Sequence, residues 1–139
     1  MPLAILLVDD DEFFRSAERR LLEGEEAFEI VGEAGNAAEA VRLARVLHPD
    51  VVLMDIGMPD LSGLEATRQI KAAEPGTKVV MVTVHDEPGY RRVAANYGAD
   101  AYVVKKRFRD DLTAAVRVVG RRRPGDLGAL PDPSPRGGV

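Results

Sequence analysis

Residues 51–65 read VVLMDIGMPDLSGLE. Val51 to Met54 is apolar throughout and lacks helical spacing, which suits a strand buried on both faces of a parallel sheet. Asp55 ends that run. A carboxylate at the exit of a buried strand is costly unless something pairs with it or coordinates it. Ile56 to Ser62, with Pro59 and then Gly63, reads as loop. Leu64 to Ala73 reads as a helix closed by Pro75 and Gly76.

The same strand-then-helix unit recurs on both sides of this stretch. Leu3 to Val8 is a second apolar run, ended by Asp9 and Asp10. Asp11 is placed to cap a helix with an apolar stripe of Phe13, Phe14, Ala17, Leu21 and Leu22, and Gly24 is its stop. Phe28 to Ala34 alternates in part, as expected of a strand nearer an edge. Asn36 can cap a helix to about Leu47, with Ala37, Ala40, Val41, Ala44 and Leu47 inward and Pro49 beyond. After the central stretch, Lys78 to Thr83 is a strand. Pro88 suits the first turn of a short helix to about Tyr97, ended by Gly98. Ala101 to Val104 is the fifth strand. Arg109 to Val119 is the last helix, with Leu112, Ala115, Val116 and Val119 inward and Gly120 at its stop.

Five alternations of strand and helix make an α/β chain. They predict a five-stranded parallel sheet, doubly wound, with right-handed crossovers. The first and third strands are the central ones, so the expected order is the flavodoxin-like 2-1-3-4-5. Ligands then bind at the carboxyl ends of those two strands, where Asp9, Asp10 and Asp55 fall.

At 139 residues the chain is one domain, long enough to bury a core without staples. It has no cysteine, hence no disulfide framework or thiol ligand, which fits a cytoplasmic protein. No apolar run is long enough to span a bilayer, and the first residues lack the basic flank of a signal peptide. The net charge of −4 is uneven: residues 121–139 hold four arginines against two aspartates, so the preceding 120 residues carry −6. That acidic body argues against general binding to nucleic acid, and Arg121 to Arg123 read better as a solvated cluster. The domain is expected to cover residues 1–120. Residues 121–139, rich in Arg, Pro and Gly, are expected to form a disordered tail.

Asp11 and Glu12 need no role beyond a capped, negatively charged helix start. Asp9 and Asp10 are different, because they crowd like charges at a strand end and Asp55 adds to the repulsion. A hard dication with oxygen ligands removes it, and Mg²⁺ keeps room for a phosphoryl oxygen. Asp55 is the candidate nucleophile, since carboxylates form acyl phosphates. Thr83 could cap the next segment or hydrogen-bond a phosphoryl oxygen. Lys105 could be a surface cation or neutralise the same group. All of these groups fall at the same end of successive strands. The two histidines, His48 and His85, have no third nitrogen or sulfur ligand with which to form a zinc site.

The segments LLVDDDE, VVLMDIGMPDLSGLE, VVMVT and GADAYVVKK, in this order, resemble the receiver domain of bacterial two-component response regulators. The likeness covers about residues 3–119. The wording around Asp55 is most similar to the subfamily with a C-terminal helix-turn-helix. The resemblance implies that Asp55 takes a phosphoryl group from a sensor histidine kinase or phosphotransfer protein. It implies that Asp10, Asp55 and the Gly57 carbonyl ligate Mg²⁺, with Asp9 acting mostly through water. It gives Thr83 and Lys105 to the phosphoryl oxygens and makes Tyr102 the switch aromatic. The face built by residues 88–119 would meet a downstream protein or a second copy, in a phosphorylation-dependent homodimer. The chain departs from the family at two places. Lys106 follows Lys105 where the family often has a cis proline, and a cis bond to a non-proline costs about 3 kcal/mol. Lys106 thereby becomes a second candidate ammonium. Val84 replaces the usual small residue and is expected to narrow the approach of donors.

Two other functions fit parts of this pattern. A small phosphatase of the haloacid dehalogenase type also uses a strand-end Asp and Mg²⁺, but places a second Asp two positions on, where this chain has Gly57. A DNA-binding regulator needs roughly 50–60 further residues for its helical output domain, so the chain reads as an output-less or truncated member of such a family. The leading expectation is a phosphorylation switch whose output is binding. It catalyses only its own phosphorylation and dephosphorylation and turns over no substrate.

Overall fold

The structure is a computed structural model that describes residues 2–58, 60 and 62–121. Five strands alternate with five helices: β1 (Leu3–Val8), α1 (Glu12–Glu23), β2 (Phe28–Ala34), α2 (Ala37–Leu47), β3 (Val51–Met54), α3 (Gly63–Ala73), β4 (Lys78–Thr83), α4 (Pro88–Asn96), β5 (Ala101–Val104) and α5 (Phe108–Gly120). A 3₁₀ turn, Lys105–Arg107, joins β5 to α5. The sheet order is β2-β1-β3-β4-β5, every pair is parallel, and the expected doubly wound architecture is present. The expected tail falls outside the described residues apart from Arg121.

Each apolar run is a strand because both its faces are covered. Leu6, Val8, Val52, Met54, Val79, Met81 and Tyr102 form one core with inward residues of α2, α3 and α4. The helix residues there include Ala37, Ala40, Ala44, Ala66 and Ala94, small side chains that let helices lie close to the sheet. Ile5, Leu7, Leu53, Val80, Val82 and Val103 form the other core with Leu22, Phe108, Leu112, Val116 and Val119 of α1 and α5. β2 is the partly exposed edge strand, and its register against β1 slips between Ile5 and Leu6.

The caps act where the sequence places them. Asp11 accepts the N–H groups of Phe13 and Phe14, and Asn36 accepts that of Glu39. Asp60 adds a carboxylate to the start of α2, accepting from Ala37 and Ala38. The stripe of α1 needs a correction. Phe13 is 90% exposed, and Glu18, at 1%, takes the inward place. With Asp11 as the cap, residues 14, 17–18 and 21–22 share the sheet-facing side at 3.6 residues per turn, and Phe13 lies a quarter-turn off it. α3 begins one residue earlier than expected, at Gly63, and α5 is longer by one residue at each end. There is no cis peptide among the described residues, so Lys105–Lys106 is trans.

Candidate functional site

The register lines up the carboxyl ends of the strands. Val8 pairs with Met54 and Met54 with Met81, while Thr83 pairs with Val104. The residues that follow therefore gather along one edge. The Asp55 N–H donates to Val8 O at 3.0 Å, carrying the ladder one step past β3 and holding Asp55 beside Asp9. Gly63 backs this turn. Its N–H donates to Ile56 O at 2.7 Å, and a Cβ on it would lie 1.9 Å from the Asp55 carbonyl oxygen.

Asp9, Asp10 and Asp55 each offer a carboxylate oxygen, all within 4.8 Å of one another. Asp9 and Asp55 are buried and Asp10 is exposed. The Lys105 ammonium lies 2.7 Å from Asp9 Oδ2 and 3.7 Å from Asp55 Oδ2. It also sits over the Phe14 ring, 4.4 Å from the centroid. The other Asp9 oxygen accepts the Asp11 N–H at 2.8 Å, and Arg15 donates to the Asp9 carbonyl. Two of the three acids thus share one lysine. Burial pushes the Asp55 pKa up to about 6, and the Asp9 charge pushes the same way. Lys105 and the Gly57 amide oppose that rise, and the Asp10 charge adds to it. Burial alone would lower the Lys105 pKa, but the Asp9 hydrogen bond and the surrounding carboxylates hold it above its ordinary value. A set of oxygen donors in mutual reach, with surplus negative charge, is what a hard dication takes.

Thr83 is buried at the next strand end, and its Oγ1 accepts the His85 N–H at 3.4 Å. Tyr102 is 1% exposed, with its ring packed inward, and its hydroxyl donates to His85 O at 2.8 Å. Burial pushes that phenol up to about 12. The Arg91 guanidinium lies 4.8 Å from the ring centroid. The His85 ring stacks on Tyr90 at 4.0 Å. Gly57 is exposed, with nothing within 4 Å of where a Cβ would stand. Val84 points to solvent. Lys106 reaches Asp86 at 3.4 Å and is exposed, so Lys105 is the ammonium of the acid cluster.

The fold and the sequence match known proteins. The family model described as "Response regulator receiver domain" matches residues 5–117. The chain belongs to the response regulator receiver family. This receiver is 37% identical over 119 residues to the transcriptional regulatory protein DegU of Brevibacillus brevis, covering 86% of this chain and 50% of that one. It spans about half the length of the curated relatives it matches. A LuxR-family two-component response regulator from Aurantimonas sp. SI85-9A1 superposes with a TM-score of 0.83 at 35% identity, over 88% of this chain and 89% of that one. The response regulator domain of Thermotoga maritima CheB gives 0.83 at 30% identity, over 89% and 100%. The receiver has no helix, among its described residues, long and apolar enough to cross a membrane.

Sequence reading missed three side chains at this edge. The apolar stripe accounts for Phe14 only as a core residue, yet its ring also carries the Lys105 ammonium. Arg15 ties α1 to the end of β1 and, through Glu33 at 2.9 Å, to β2. Glu18 is buried in the same charge cluster. An acid spaced four residues from both Phe14 and Leu22 is the signal that would have found it, had periodicity been counted without regard to polarity.

Proposed function

We propose that this receiver is a phosphorylation switch in two-component phosphorelay signalling, with Asp55 as the phosphoacceptor and a histidine kinase or phosphotransfer protein as the donor. The observation that carries the reading is the sharing of one ammonium, Lys105, between Asp9 and Asp55 within the three-acid cluster. The ionised Asp55 oxygen bonds to phosphorus as the bond from phosphorus to the donor's histidine nitrogen breaks. The imidazole leaves with that electron pair and then takes a proton. Phosphoryl transfer asks a protein mainly for positioning and charge neutralisation. The Lys105 ammonium neutralises one phosphoryl oxygen, and the Thr83 hydroxyl donates to another once it turns from the His85 amide. Asp9, Asp10, Asp55 and the Gly57 carbonyl would hold Mg²⁺, which supplies the rest of the neutralisation when bound.

The signal would leave through β4 and α4. Thr83 and Tyr102 both bind the His85 backbone, so a turn of Thr83 toward a phosphoryl group disturbs the partner of Tyr102. The face of residues 88–119 presents partly exposed Tyr90, Val93 and Tyr97, and is the proposed surface for a downstream protein or a phosphorylation-dependent homodimer. Incubation with Mg²⁺ and acetyl phosphate should add one phosphoryl group, about 80 Da, to the wild type and none to Asp55→Asn. Intact mass without an adduct, under conditions that modify a control receiver, would refute the reading. A light-scattering mass unchanged by beryllofluoride would remove the dimer.

A further inference from the structure

Glu18 is 1% exposed, and its Oε1 has no hydrogen-bond partner among the described residues. A buried polar atom without a partner costs stability, and a leucine would fill the same place without that cost. The position stands one helical turn from Phe14, whose ring carries the Lys105 ammonium, and one turn from buried Leu22. Burial raises the Glu18 pKa well above the ordinary carboxylate range, the nearby Asp9 charge raises it further, and Lys105 opposes both. Glu18 therefore belongs to the charge cluster of the site, although it lies in the core and reaches no solvent.

Asp9 is the resting partner of Lys105, at 2.7 Å. A dication held by Asp9, Asp10 and Asp55 draws on the same Asp9 oxygens, so the ammonium must give way. We propose that Glu18 is a positioning residue, a reserve acceptor that takes over the Lys105 ammonium when Asp9 turns to a cation. Oε1 can accept from an ammonium N–H whether or not Oε2 carries a proton, so the exchange does not depend on Glu18 being ionised. The orphaned oxygen then has a use, and the cation binds more tightly because Lys105 is not left unpaired. This inference rests on the phosphorylation reading above.

The test is Mg²⁺ affinity, measured by titration with magnesium chloride, together with thermal stability in the presence of a chelator. Glu18→Leu should weaken Mg²⁺ binding about tenfold, the low end of what outer-shell partners are worth to a metal site. The same variant should melt higher than wild type, because it removes an unpaired buried oxygen. Glu18→Gln keeps an acceptor in place and should stay within about threefold of wild type by the same measure. If Glu18→Leu fails to fold, Glu18→Met serves in its place. In a Lys105→Ala background, Glu18→Leu should leave the affinity unchanged. Wild-type affinity in Glu18→Leu would overturn the inference. So would an equal loss with and without Lys105, since Glu18 would then act by its charge alone. In both cases acetyl phosphate would still modify Asp55, and the phosphorylation reading would stand. A wild-type chain that bound no Mg²⁺ would overturn both.

Discussion

At the amino-terminal end of the sheet, Asp50 accepts the Ala4 N–H at 2.7 Å. Asp100 accepts both the Lys71 ammonium at 2.9 Å and the Val79 N–H at 2.8 Å. Lys71 also donates to Thr77 O at 2.9 Å, and the Thr77 hydroxyl to Pro49 O at 3.3 Å. At the carboxyl end the same residue types recur at strand ends, but Asp9 and Asp55 share the ammonium of Lys105 while Asp10 adds a third carboxylate to the same cluster. One end spends its carboxylates on backbone amides and a lysine, and those groups staple the loops. The other end carries more negative charge than its partners balance. Burial raises the Asp55 pKa, and that surplus raises it further.

The comparison can be broken at its backbone. Gly63→Ala would drive a methyl group into the Asp55 carbonyl, which cannot rotate away, and should cost about 3 kcal/mol or more in urea unfolding. Asp55 and Asp100 then give opposite signs. The folded pKa of Asp55 lies near 6, above its value of about 3.9 in an unfolded chain. Between these values the folded state holds the extra proton, so stability falls as pH rises from about 4 to 6 and the penalty is complete above 6. With a chelator present, Asp55→Asn should therefore stabilise the protein at pH 7.5, by up to about 3 kcal/mol. The gain should vanish near pH 4. Thermal melts at the two pH values check it, and an equal gain at both would show that the ionised carboxylate is not the source. Asp100→Ala should instead destabilise by about 1–3 kcal/mol at neutral pH, since it strands the Val79 amide and takes the charged partner from Lys71. A loss of urea midpoint without a change in m-value is the expected reading. The smallest effect belongs to Phe13, whose side chain lies outside both clusters. Phe13→Ser should change stability by no more than about 0.5 kcal/mol.

The sequence by itself determined the number, kind and order of the elements, the edge position of β2, and the strand ends at which Asp9, Asp55, Thr83 and Lys105 stand. Runs such as Leu3–Val8 and Val51–Met54 are apolar without a helical period, and buried parallel strands are what such runs can form. Tertiary structure alone decided three things. It turned Phe13 outward and Glu18 inward, because the phase of a helix depends on where its cap begins and on which side the sheet lies. It chose Lys105 over Lys106 for the acid cluster, because a 3₁₀ turn sends adjacent side chains in different directions. It separated Asp100, held by the Lys71 ammonium and the Val79 amide, from Asp55, buried beside Asp9 with which it shares the Lys105 ammonium. The cost of a carboxylate depends on distances of a few ångströms to groups far away in the chain, and those distances exist only once the strands are in register.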